Sequence, residues 1–185
     1  MSKDKTIRKP KTVTIRKRGM VCTLLYISAA FAIAFFGLSF LDSYDVANEL
    51  VASTYYSGIE LALGISDLTI NYLLFSCLVV GAIGGLLTLS VAITSSIIKK
   101  YSPIQAMLMA LAIASLAYAF VVSVLFPFII ADSISQAANP FQLMQTMWPI
   151  FTMSGLLGGA IIINLALLIF VSVDAYATSH PVKNK

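Results

Sequence analysis

The chain has 185 residues, 59% of them hydrophobic and 11% charged, with a formal net charge of +4. A soluble domain carries about 25% charged residues. This chain has too little polar surface to face water on every side, so a soluble globular fold is excluded, and its length admits one bundle with no second sizeable domain.

The chain opens on a basic tail, residues 1–19, that holds eight of its twelve lysines and arginines: Lys3, Lys5, Arg8, Lys9, Lys11, Arg16, Lys17 and Arg18. The tail repeats itself, with Thr6-Ile-Arg-Lys9 followed by Thr14-Ile-Arg-Lys17. Each basic residue near an anionic leaflet contributes roughly 1 kcal/mol of attraction. Arg8, Lys9, Lys11, Arg16, Lys17 and Arg18 are therefore the expected contacts with anionic lipid or with a cytoplasmic partner. No aromatic residue or folded module accompanies the charge, so nucleic acid is not an expected partner.

Four apolar runs follow, at about 20–41, 71–97, 104–130 and 148–173, and none contains Asp, Glu, Lys, Arg or His. About 20 such residues cross the hydrocarbon core. The runs are continuous rather than alternating, so helices rather than barrel strands are expected, with every backbone polar group satisfied inside its own segment. Gly37 and Ser39 imitate a signal-peptide cleavage site, but the first run exceeds the 7–15 residues of a signal peptide's hydrophobic region. It is read as a retained span.

Charge placement orients the spans. The remaining basic residues are Lys99 and Lys100, between the second and third runs, and Lys183 and Lys185 at the end of the chain. Cytoplasmic loops collect Lys and Arg. With four crossings, one arrangement puts all twelve inside. Both termini are then cytoplasmic, and Asp42, Asp45, Glu49, Glu60, Asp67 and Asp132 face outward. The fold class expected is an all-α integral membrane protein, a four-helix bundle running up-down-up-down. It comprises the tail 1–19, a transmembrane domain 20–175 and a cytoplasmic C-terminal tail 176–185.

In the first outer segment, residues 42–69, Val46, Leu50, Ile59 and Leu63 fall at helical spacing. The pattern predicts a short amphipathic helix on the outer membrane face, with Tyr55 and Tyr56 as anchors. In the second, residues 132–147, Asn139-Pro140 signals a turn. Phe141 and Trp148 stand where an aromatic belt is expected.

Within the runs, Gly81-Ala-Ile-Gly-Gly85 and Gly155-Leu-Leu-Gly-Gly159 share one pattern. Lipid tails are as apolar as leucine, so helices in a membrane associate through close van der Waals packing, which small residues four apart permit. Gly81, Gly84, Gly85, Gly155, Gly158 and Gly159 are expected packing positions. So are Ala106, Ala110 and Ala114 in the third run, with Cys77 extending the second run's stripe and Ala30 and Ala34 offering the same spacing in the first. Packing within the chain and packing against a partner are both open. The matching motifs also fit a duplicated, parallel hairpin.

Asn164 sits mid-way along the fourth run. A buried amide without a partner is costly in hydrocarbon, so it should bond across to another helix or line a substrate path. Ser90, Ser115 and Ser123 can instead bond back to their own helix. Ionisable residues inside a membrane mark ion paths and proton relays, and these runs hold none. Cys22 and Cys77 lie in apolar runs, and His180 is the single histidine. The sequence holds no Cys-x-x-Cys and no cluster of ligands, so neither a metal nor a cofactor is expected. Catalysis is not expected either. The expected function is that of a non-catalytic subunit, scaffold or assembly factor of a larger complex in a prokaryotic cytoplasmic membrane. The alternative is a small transporter, channel or homo-oligomeric pore.

Overall fold

A computed structural model of the chain describes residues 13–14, 17–48, 51–64, 70–98, 100–137, 144–146 and 148–179. Ten elements follow in order: β1 (Val13–Thr14), α1 (Arg18–Leu38), β2 (Asp42–Asn48), β3 (Val51–Ser57), α2 (Gly58–Leu63), α3 (Tyr72–Ile97), β4 (Lys100–Tyr101), α4 (Pro103–Ala137), β5 (Met144–Thr146) and α5 (Trp148–Ser179). Four helices are long and apolar enough to cross a membrane, over Arg18–Leu38, Tyr72–Ile97, Pro103–Leu125 and Thr152–Asp174. At 1.5 Å per residue, the 21 residues of the shortest extend about 32 Å, which matches a hydrocarbon core of about 30 Å.

The helix starts are chemically marked. Asn71 caps α3, its side-chain oxygen accepting from the Leu74 amide at 3.0 Å. At the start of α4, Ser102 and Gln105 form a reciprocal capping box ahead of Pro103. The Gln105 side chain accepts from the Ser102 amide at 2.9 Å, and the Ser102 hydroxyl accepts from the Gln105 amide at 3.3 Å. Proline in the first turn removes an amide that would have no partner.

α1, α3, α4 and α5 form a closed ring in which α1 packs on α3 and α5, and α4 packs on α3 and α5. The core is layered along the ring. One cluster joins Phe35, Leu116, Ala119, Leu157 and Ala160 with Leu61 and Ala62 of α2. The other joins Val21, Leu25, Val91, Met109, Leu167 and Val171. The outward face is equally apolar, with Ile33, Leu86, Met107, Leu111, Ile162 and Ile169 all exposed. Large residues exposed this way need lipid rather than water as their solvent.

The segment after α1 departs from the expected amphipathic helix. β2 and β3 form an antiparallel hairpin in its place, with Asp45 opposite Tyr55 and Val46 opposite Thr54. β5 pairs with the other edge of β2, Tyr44 opposite Thr146, to give a three-stranded sheet in the order β3-β2-β5. The run Val51-Ala-Ser-Thr-Tyr-Tyr-Ser57 is rich in β-branched and aromatic residues, which fit a pleated surface better than a helix. Helix survives only as α2, six residues long. Its buried positions are Gly58, Leu61 and Ala62, while Leu63, expected on the apolar face, is exposed. α2 packs on the end of α3. Residues Glu49, Leu50, Asp67, Asn139, Pro140, Phe141 and His180 lie outside the described residues.

A short ladder ties the tail to the α3–α4 link, with Val13 opposite Tyr101 and Thr14 opposite Lys100 in antiparallel register. The sequence pattern gave no sign of this pair or of β5. The helices also run past the expected spans, α4 to Ala137 and α5 to Ser179.

α2 rests on its own capping box. The Glu60 carboxylate accepts from the Ser57 amide at 2.8 Å and the Ser57 hydroxyl at 2.9 Å, and the Ser57 oxygen accepts from the Glu60 amide at 3.3 Å. The helix ends on Gly64 at φ 67°, a left-handed position that suits glycine. Bonding to the Ser57 backbone, and then to its side chain, holds the Glu60 pKa below the usual carboxylate value. A carboxylate depressed on folding contributes stability above its unfolded pKa and loses it as the pH falls through its folded pKa. Ser57→Ala should destabilise α2 by about 1 kcal/mol, read as faster amide exchange over residues 58–63. Acidification below about pH 4 should speed that exchange in the parent, after correction for the intrinsic rate, and have a smaller effect in Glu60→Gln.

Candidate functional site: the glycine seam and the buried polar junction

α3 meets its neighbours through glycine. A Cβ added at Gly81 would lie 2.7 Å from Phe35 Cε1 on α1 and 3.1 Å from Ala119 Cβ on α4. At Gly84 it would lie 2.9 Å from Leu116 Cγ on α4, and at Gly85 3.0 Å from Ala32 Cβ on α1. Distances under 3.0 Å are not sustained by real side chains without movement. One stripe of α3 therefore serves two helices, with Gly81 between them, Gly85 turned to α1 and Gly84 turned to α4. Cys77, one turn earlier, is buried and sends its thiol to the Ala119 carbonyl oxygen at 3.3 Å.

The α5 motif has the same glycine spacing and a different setting. Gly158 lies against Phe120 on α4, where a Cβ would be 3.4 Å from the ring. Gly159 lies against Phe31 on α1, at 3.2 Å. Gly155 is exposed, with nothing within 4 Å of an added Cβ.

Of the alanines expected to pack, Ala106 packs against the second core cluster and the others face outward. Ala110 and Ala114 are exposed on the outer face of α4 and Ala106 is half-buried, while the inward row is Met109, Ala112, Leu116 and Ala119. On α1, Ala30 and Ala34 point outward, and Ser28, Ala29, Ala32 and Phe35 point inward. In a helix that is apolar all round, spacing identifies stripes without saying which stripe is inside.

Asn164 is fully buried, and its Nδ2 donates to Thr88 Oγ1 at 3.0 Å. Thr88 in turn donates to the Gly84 carbonyl, one turn back on its own helix, at 2.9 Å. α3 and α5 stand opposite each other in the ring, so this bond crosses the middle of the bundle. Beside it, buried Ser28 on α1 donates to the Ala160 carbonyl at 3.1 Å. Ala160 lies one turn before Asn164. Three helices are thus hydrogen-bonded around one level of the core. Among the described residues, Asn164 Oδ1 has no hydrogen-bond partner.

Other serines also join helices. Ser123 and Ser154 hydroxyls lie 3.2 Å apart between α4 and α5. Ser76 lies 2.7 Å from the Tyr118 hydroxyl between α3 and α4. Ser90 bonds to its own helix, at the Leu86 carbonyl, and Ser115 lies beside Gly84. Sequence reasoning singled out neither Ser28 nor Thr88. Thr88 was findable, because it continues the Gly81–Gly84–Gly85 face by one more turn.

Of the basic positions, Arg18 is engaged with protein. Its Nε donates to the Ser95 carbonyl at 3.0 Å and its Nη2 to the Ser96 carbonyl. It caps the last turn of α3, where unpaired carbonyls and the negative end of the helix dipole favour a cation. Gln105 adds a bond from Nε2 to Thr94 Oγ1 at 3.2 Å, and the Tyr26 and Ser96 hydroxyls lie 3.3 Å apart. Lys17 is exposed, with φ 54°. Arg8, Lys9, Lys11 and Arg16 lie outside the described residues.

Among the described residues, no group of three or more His, Cys, Asp or Glu side chains is placed to hold a metal ion. No family model, no curated protein and no solved structure matches the chain.

Two outcomes follow from this geometry. Gly81→Leu and Gly85→Leu overpack a filled seam and should each cost about 1–3 kcal/mol or more, seen as a lower Tm in mild detergent. Gly155→Leu should leave Tm unchanged. Thr88→Val keeps the shape but strips the acceptor from buried Asn164, at about 1–3 kcal/mol. Asn164→Leu removes the whole amide and should cost less than Thr88→Val, since Thr88 keeps its bond to Gly84. The double variant should cost less than the two single changes summed, measured by detergent unfolding.

Proposed function

We propose that the protein is a non-catalytic subunit, scaffold or assembly factor of a larger membrane complex. The observation that carries this reading is the outward display of small residues the bundle does not use internally. Ala30, Ala34 and Gly37 lie on the outer face of α1, Ala110 and Ala114 on α4, and Gly155 on α5. Small residues are where a second helix backbone can approach within a membrane. The interior supports the same reading: Phe35, Leu25, Met109, Leu116 and Leu157 fill it, and its polar side chains Ser28 and Asn164 join one helix to another.

In this proposal the four spans alternate in direction. The tail and the Lys99–Lys100 link lie on the cytoplasmic side, where Lys17 and the more distal basic residues face anionic lipid or a cytoplasmic partner. The sheet and α2 lie outside. The distribution of all twelve basic residues supports that orientation, and a prokaryotic cytoplasmic membrane is the proposed location. The unpartnered oxygen of Asn164 favours a second reading, a small transporter or homo-oligomeric pore in which that oxygen meets a solute.

Purification in gentle detergent separates the readings. Stoichiometric membrane partners should copurify, and Ala114→Leu or Gly155→Leu should release them without lowering Tm. A protein that elutes without partners and conducts ions in liposomes would overturn the subunit reading. For orientation, a cysteine at exposed Leu63, in a Cys22→Ala, Cys77→Ala background, should react with an impermeant reagent added outside cells. A cysteine at Lys185 should react only after lysis. The opposite pattern would reverse the topology.

A further inference from the structure

The three-stranded sheet has two unequal edges. β5 is three residues long, and a short edge offers little for another strand to pair with. β3 is seven residues long and contains neither proline nor any charged residue. Its inner edge pairs with β2, and among the described residues no strand pairs with its outer edge. Natural edge strands are defended by charge, proline, bulges or brevity. The β2–β3 ladder has register shifts at both ends, between Asp42 and Tyr44 and between Val46 and Asn48, but runs regularly from Thr54 to Tyr56. At the centre of that regular stretch, Tyr55 is 52% exposed.

We propose that this edge joins two copies of the chain, side by side in one membrane, through an antiparallel β3–β3′ pair. The result is a six-stranded sheet in the order β5-β2-β3-β3′-β2′-β5′. The inference is independent of the subunit reading, because a homodimer can serve a complex or act alone.

Three observations select a second copy as the occupant. First, β3 is self-complementary. An antiparallel pair needs the same backbone donors and acceptors on both sides, and an uncharged strand sets no like charges opposite each other. Second, the geometry suits a membrane. β2 touches both α5 and α2, and α2 packs on α3, so the sheet spans the end of the bundle. Copies inserted the same way are related by rotation about the membrane normal, which is the two-fold axis that an antiparallel pair in such a sheet requires. Third, the nearby acid is set back. Asp45 lies opposite Tyr55 on β2, so Asp45 and Asp45′ are separated by three strand spacings, about 14 Å. That exceeds a Debye length of about 8 Å at physiological salt. Tyr55 would lie at the junction, and buried interface centres are enriched in aromatic residues.

Disulfide trapping in native membranes tests the proposal. Ser53→Cys, Thr54→Cys and Tyr55→Cys are made singly in the Cys22→Ala, Cys77→Ala background and mildly oxidised. Directly opposed residues in an antiparallel pair have Cβ atoms about 4.5–5.5 Å apart, close to disulfide range. At least one of the three positions should give a band at twice the chain mass, while Thr146→Cys on the opposite edge should not. In nanodiscs, the parent should be a dimer. Tyr55→Lys, which sets two like charges together, should reduce the dimer fraction about tenfold at low salt and recover in high salt, with an unchanged Tm. Three results would overturn the proposal: no dimer band at any of the three positions, a single-copy mass for the parent, or a trapped band containing a different protein.

Discussion

The rest of the structure depends on how closely α3 approaches α1 and α4. Lipid offers no hydrophobic reward for bringing two helices together, so contact has to come from surfaces that fit. α3 achieves this twice with one stripe. Phe35 lies over Gly81, Ala32 over Gly85 and Leu116 over Gly84. With three of the ring's members joined along that stripe, α5 closes the remaining gap by resting Gly158 and Gly159 on the aromatic rings of Phe120 and Phe31. The aromatic side chains occupy the space beside the glycines.

Close packing would let the helices slide or rotate if all contacts were apolar. The polar junction at Ser28, Thr88, Ala160 and Asn164 supplies the direction that packing lacks. A hydrogen bond in hydrocarbon adds on average only about 0.6 kcal/mol, so its main effect is to select one register over those that leave an amide unpaired. Arg18 works the same way at the end of the bundle, where its two bonds to the last turn of α3 fix the height of α1 against it.

The four spans were legible because their signal is long, uninterrupted and free of charge. The glycine positions were legible as packing candidates, but their partners were not. Gly81 and Gly155 open the same glycine pattern, yet a Cβ at Gly81 would meet two helices and one at Gly155 would meet none. That difference is set by which way each helix faces, and a helix apolar on every side carries no record of it. The same ambiguity left open whether Ala110 and Ala114 pack within the chain or against a partner; the inward row of α4 is Met109, Ala112, Leu116 and Ala119. In the segment after α1, a period of about four among Val46, Leu50, Ile59 and Leu63 competed with the strand preference of Thr54, Tyr55 and Tyr56. Strand pairing won because β5, about a hundred residues away in the chain, completes the sheet. No local pattern reports such a distant partner.

The β1–β4 ladder and the Arg18 cap share a property that bears on biogenesis. Every group they use, from Val13 to Tyr101, precedes α4 in the chain. A ribosome that has delivered α1, α3 and the link after them has therefore released everything needed to fasten one end of the first two spans. The sheet at the other end is different, since β5 emerges only after α4 is complete. The two ends of the bundle can thus be secured at different moments of synthesis, the basic end early and the sheet end late. The half-made protein would already hold its first helical hairpin shut while its second is still being inserted.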